Sequence, residues 1–89
     1  MTAREVRIRN PLGLHARAAA RFVHTASRFR SRVTVSRNGR TMDGKSILGI
    51  LLLAASEGTL LRVAAEGEDE SAAVDALAAL VESGFGEEA

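Results

Sequence analysis

One histidine in this chain sits where its surroundings could put it to chemical use: Asn10-Pro11-Leu12-Gly13-Leu14-His15-Ala16-Arg17-Ala18. Asn-Pro followed by glycine predicts a turn, and the stretch behind it predicts a helix, so His15 falls where that helix begins. A helix start carries unpaired backbone N–H groups and a partial positive charge, which together attract anions. The same charge disfavours an imidazolium and leaves a neutral ring with a free lone pair. Gly13 and Ala16 flank the approach to that ring, and Gly13 keeps a side chain out of the path. The chemistry expected is nucleophilic: the imidazole takes a phosphoryl group, which the N–H groups and Arg17 then hold. The plainer alternative is an exposed histidine that merely starts a helix.

Arg17, Arg21, His24 and Arg28 recur at i, i+4, i+7 and i+11, which places them on one helix face opposite Ala19, Phe22, Val23 and Ala26. A guanidinium in the first turn opposes the helix dipole unless an anion is bound, which singles out Arg17. Arg28 reads as an ordinary solvated residue. His24 has no carboxylate or second histidine close in sequence, so neither a metal nor any other cofactor is expected.

Gly39-Arg40-Thr41-Met42-Asp43-Gly44-Lys45-Ser46 satisfies the P-loop spacing in form only. A P-loop needs a buried strand running straight into its glycine loop, whereas Asn38-Gly39 is a hairpin turn whose return strand is Arg40–Met42. Ser46 reads instead as a helix N-cap. A phosphate placed on it would sit at a helix start, where a dianion is tolerated. The helix behind it is apolar almost all round, and a short helix packed on a sheet cannot bury every side. Ile47, Leu48 and Leu51 are therefore expected to stay exposed as a docking patch, with Ser46 on its rim.

These residues need elements to position them. Arg4–Arg9 and Arg32–Arg37 alternate charged or polar with apolar residues and predict strands. Helices are expected from Ala16 to about Arg28 and over Ser46–Ala55, with a further strand at Leu60–Ala65. Asp69 is expected to cap a last helix carrying Ala73, Val74, Leu77, Ala78 and Val81, which Gly84 stops. The order βαββαβα favours an α+β fold, an antiparallel sheet with its helices on one face.

With 89 residues the chain is expected to form a single domain, residues 1–89. It has no cysteine, its first residues lack an apolar signal region, and its longest apolar run (47–55) is too short to span a bilayer. A cytoplasmic protein without membrane insertion is the expectation. Net charge of +1 conceals a division: residues 1–45 carry eleven bases against two acids, and residues 46–89 one arginine against nine acids. Such asymmetry suits a charged partner, or else a surface whose signs mix on folding. With three aromatic residues, all Phe, the chain lacks a strand platform for base stacking, so nucleic acid is not an expected partner.

Gly13-Leu14-His15-Ala16-Arg17, the Asn38-Gly39 hairpin, Lys45-Ser46-Ile47-Leu48-Gly49 and Ala65-Glu66-Gly67 together resemble the HPr family. These are the histidine-containing phosphocarriers of the bacterial phosphoenolpyruvate-dependent phosphotransferase system. The resemblance implies an open-faced β-sandwich, a four-stranded antiparallel sheet covered on one face by three helices. It implies that His15 Nδ1 takes phosphate from phosphorylated enzyme I and passes it to enzyme IIA, with Arg17 neutralising the phosphate. Ser46 matches a site modified by HPr kinase/phosphorylase, and Ile47, Leu48 and Leu51 match docking positions beside Arg21 and His24. A monomeric carrier, rather than a stand-alone enzyme, follows. The alternative is a mainly regulatory docking module acting through Ser46 and the apolar patch. Many sugar-type members have Pro after His-Ala-Arg; this chain has Ala18, as in carriers of nitrogen-related branches.

Overall fold

Period-two alternation decides the sheet in the computed structural model, which describes residues 1–87. Four strands form it: β1 (Thr2–Arg7), β2 (Arg32–Arg37), β3 (Arg40–Asp43) and β4 (Leu60–Glu66). They lie in the order β1-β4-β2-β3, and every neighbouring pair is antiparallel. Val6 lies opposite Leu61, and Val63 opposite Val35, so the alternating apolar residues of adjacent strands fall on one face. Val6, Val33, Val35, Leu61, Val63 and Ala65 are buried there, while Glu5, Arg7, Arg32, Arg62 and Glu66 lie on the open face. Asn38 and Gly39 adopt φ of +50° and +80°, the left-handed pair that a two-residue hairpin between β2 and β3 requires.

Three helices cover the apolar face: α1 (Ala16–Ala26), α2 (Ile47–Leu52) and α3 (Glu70–Glu82). Ala19, Phe22, Val23 and Ala26 of α1 are buried as their spacing requires, and so are Ala73, Val74, Leu77, Ala78 and Val81 of α3. The result is the expected open-faced α+β sandwich.

Several boundaries differ from the sequence reading, for physical reasons. The first strand runs Thr2–Arg7, not Arg4–Arg9, because Ile8 bonds to the loop residues Thr59 (2.9 Å) and Gly58 (2.8 Å). The second helix stops well short of Ala55, since Ala54 turns to φ +49°. Arg37 of β2 then catches the carbonyls of Leu53 and Ala54 at 2.8 and 3.0 Å, occupying acceptors that a longer helix would use. Asp69 stands at the N-cap position of α3 but makes no side-chain cap bond. Its carboxylate accepts instead from the N–H groups of Arg30 (2.8 Å) and Ser31 (2.9 Å) and from the Ser31 hydroxyl, tying the segment just before β2 to the start of α3. Gly84 (φ +72°) does stop α3, and a 3₁₀ turn, Gly84–Gly86, follows. Phe85 in that turn is 1% exposed, a core residue that periodicity did not reveal.

Candidate functional site

The loop before α1 sets the site. Gly13 N–H closes a turn onto Asn10 O at 3.1 Å, and Leu14 N–H bonds Ala55 O at 2.9 Å. Leu14 is buried beneath the loop, so His15 emerges as the N-cap residue of α1 with extended backbone (φ −78°, ψ 178°). Its carbonyl accepts the first helical bond from Ala19, and its Nδ1 faces the Arg17 N–H at 3.3 Å. That bond is long, and it turns the Nδ1 lone pair toward the first N–H groups of α1.

The other ring nitrogen meets a residue that the spacing argument had not raised. Nε2 of His15 contacts Oε2 of Glu87, seventy-two residues along the chain. A carboxylate can only accept, so this contact places the ring proton on Nε2 and the lone pair on Nδ1. Glu87 is itself held: Asn10 Nδ2 donates to its Oε1 at 2.8 Å while also donating to Gly13 O at 2.8 Å. Burial by itself pushes the Glu87 carboxyl up, but hydrogen bonds from Asn10 and His15 and the nearby charge of Arg21 outweigh it and hold the group below its usual range. Distance in sequence hid Glu87, since an acidic residue past the last helix carries no periodic signal.

Arg17 and Ala16 are exposed in the first turn of α1, beside the ring. Gly13 belongs to the site for a different reason from the one its sequence suggested. It is buried, with φ +65°, and a Cβ there would stand 2.5 Å from Ala55 O, so it permits a close backbone crossing rather than clearing a path to the ring. Arg21 is exposed yet donates to Phe85 O, which fastens the C-terminal turn to α1. His24 lies nine residues past His15, about 13 Å along the helix axis, and does not share the site. Among the described residues, no group of three His, Asp or Glu side chains is placed to hold a metal ion. No helix among them is long and apolar enough to cross a membrane.

Ser46 is the N-cap of α2, its hydroxyl accepting from Gly49 N–H at 3.0 Å. The backbone rules out a P-loop here, because Asn38-Gly39 is the turn of the β2–β3 hairpin and Arg40–Asp43 pairs back on β2; the Lys45 ammonium bonds Phe29 O at 2.8 Å. Ile47 and Leu48 are exposed as expected, but Leu51 is not: it is half-buried against the core and Leu52 is exposed in its place. Near-uniform apolarity along α2 gave no signal of which side would face the sheet. Leu12, 73% exposed in the loop before His15, adds an apolar residue beside the site that the helix-based reading passed over.

A family profile described as "PTS HPr component phosphorylation site" matches residues 2–83. The chain belongs to the HPr family. It is 50% identical over 88 residues to the phosphocarrier protein HPr of Xylella fastidiosa, a match covering 99% of each chain. The crystal structure of HPr-C-His from Thermoanaerobacter tengcongensis superposes with a TM-score of 0.96 at 46% identity, covering both chains fully. A second structure of HPr from that organism, described as a dimer, gives 0.78 at 46% identity over 98% and 100% of the two chains. The HPr-like protein Crh of Bacillus subtilis is 44% identical over 82 residues, 92% of this chain and 96% of Crh. As an HPr-family member, the chain is a phosphocarrier of the phosphotransferase system.

Proposed function

We propose that residues 1–89 act as one carrier domain in which Nδ1 of His15 takes a phosphoryl group from phosphorylated enzyme I and passes it to a histidine of enzyme IIA. What carries this reading is the disposition of the ring, with Nε2 occupied by Glu87 and Nδ1 turned toward the first N–H groups of α1. Those amides and the Arg17 guanidinium suit a phosphate that must be held and then surrendered. A deep cage would stabilise it too far, since a carrier needs its bound and transferred states close in energy. The protein therefore acts as an intermediate of transfer and not as a stand-alone enzyme. It works as a monomer in the cytoplasm, docking weakly through Ile47, Leu48 and the basic face that includes Arg21 and His24. Incubation with phosphoenolpyruvate and enzyme I should give one acid-labile phosphate per chain, absent after His15→Ala. Label retained in that variant overturns the assignment.

A regulatory role for Ser46 is favoured by its cap geometry and by the resemblance to Crh, described as a catabolite repression HPr. A phosphate there stands at the edge of the Ile47–Leu48 patch and changes docking. HPr kinase/phosphorylase with ATP should yield phosphoserine that Ser46→Ala abolishes; no phosphoserine on the wild type removes Ser46 from the account.

A further inference from the structure

We infer that Glu87 is a positioning residue for phosphoryl transfer: its carboxylate holds the Nε2 proton of His15, presents Nδ1 as the nucleophile and balances the charge that the ring acquires. The inference rests on the phosphocarrier reading and adds to it a residue outside the helix that bears His15.

Glu87 is not a loose chain end that happens to meet the ring. Its side chain is 13% exposed against 27% for His15. Three contacts fix the segment that carries it: Phe85 is buried in the core, Arg21 donates to Phe85 O, and Asn10 donates to Glu87 Oε1. Asn10 is itself 3% exposed, and its single amide nitrogen bridges Glu87 to Gly13, two residues before His15. The carboxylate is therefore preorganised by a buried amide that also shapes the histidine loop.

The chemistry explains why such a partner helps. When the Nδ1 lone pair forms the N–P bond, the donor's bond to phosphorus breaks and its electron pair leaves with the donor atom. No proton leaves the histidine, so the ring becomes a phosphorylated imidazolium with Nε2–H still in place. Glu87 already faces that hydrogen, and a charge-assisted bond strengthens as the positive charge grows. In onward transfer the N–P electron pair returns to Nδ1, the ring becomes neutral, and the phosphoryl group joins the acceptor. A protonated phosphoimidazole is the better leaving group, so the same contact keeps the phosphate transferable.

The test uses phosphoramidate, a small P–N donor that needs no docking surface, on the full chain with Glu87→Ala and Glu87→Gln. Phosphorylation of His15 should slow about tenfold in Glu87→Ala, the scale of one hydrogen bond to a charged group. Glu87→Gln should fall between, because its carbonyl accepts the same bond without the charge. In nitrogen-15 spectra of the unphosphorylated proteins, the His15 Nε2–H should be protected from exchange in the wild type and lose that protection in Glu87→Ala. Equal rates in wild type and both variants, or equal protection, overturn the inference. If Glu87→Ala also lowers the urea midpoint, the comparison of Glu87→Gln with wild type decides the matter in the same way. A wild-type chain that neither phosphoramidate nor charged enzyme I can label instead defeats the carrier reading, and the exchange measurement still reports on Glu87.

Discussion

Asp69 takes hydrogen bonds from both the backbone N–H and the hydroxyl of Ser31, thirty-eight residues earlier, although it stands where a helix cap is expected. The Ser31 hydroxyl, with the Arg30 N–H, holds the Asp69 carboxyl down at about 2, against an ordinary 3.8. Its neighbour Glu70 is likewise held at about 2, against 4.5, by the Thr2 hydroxyl, the amino terminus and the Gly67 N–H. Both groups are more acidic folded than unfolded. They lend stability in full above about pH 4.5 and lose it as pH falls toward 2. Urea midpoints should therefore decline across that window, and the pair Asp69→Asn with Glu70→Gln should flatten the decline. An unchanged slope in the double variant assigns the acid sensitivity elsewhere.

Gly13→Ala should cost more than about 2 kcal/mol, combining a left-handed backbone with a clash against a carbonyl. Gly39→Ala is the control: φ is +80° but nothing lies near its Cβ, so about 1 kcal/mol is expected. Chemical denaturation distinguishes the two, and equal losses show that conformation alone, without the close crossing, governs Gly13.

Ser46→Ala removes the hydroxyl that accepts from Gly49, and the variant should lose about 1 kcal/mol of stability. Ser46→Asp keeps an acceptor at the cap and should retain most of it. The same unfolding curves check both.

Leu48 is 66% exposed while Ile50, two residues on, is fully buried. Leu48→Asp should leave the unfolding free energy within about 0.5 kcal/mol of wild type. Its affinity for enzyme I should drop at least about tenfold, measured by calorimetry, because a charge replaces an apolar anchor. Unchanged affinity moves the docking surface away from α2.

Arg17 projects from the first turn of α1, and its side chain makes no hydrogen bond or ion pair among the described residues. Arg17→Glu should leave the fold intact and slow transfer to His15 about tenfold or more, the loss of one charge-assisted contact to phosphate. Stopped-flow transfer from enzyme I reads this directly, and wild-type rates exclude Arg17 from holding the phosphate.

Much of this architecture was legible one segment at a time. Alternation in Arg32–Arg37, the Asn38-Gly39 turn and the stripe through Ala19, Phe22 and Val23 each express a preference set within a few residues. The histidine's place at a helix start followed from the turn before it. Three features were out of reach for one shared reason. Leu51 rather than Leu52 turns inward because the sheet chooses a side of a uniformly apolar helix. Asp69 leaves its cap because the pairing of β2 with β4, Arg32 opposite Glu66, brings Arg30 and Ser31 beside it. Gly13 is required because Ala55 and Ser56 cross it, a meeting that neither segment announces.

The amino-acid sequence by itself determined the strands, the hairpin, the helices and the capping position of His15, because dihedral preference and hydrophobic period act over one or two turns of chain. Tertiary structure alone decided what stands on the far side of the imidazole. Glu87 reaches the ring only because α3 packs along the sheet, Phe85 inserts into the core, and Arg21 and Asn10 hold Phe85 and Glu87 across the start of α1. That contact is a property of how faces fit together, and no local pattern encodes it.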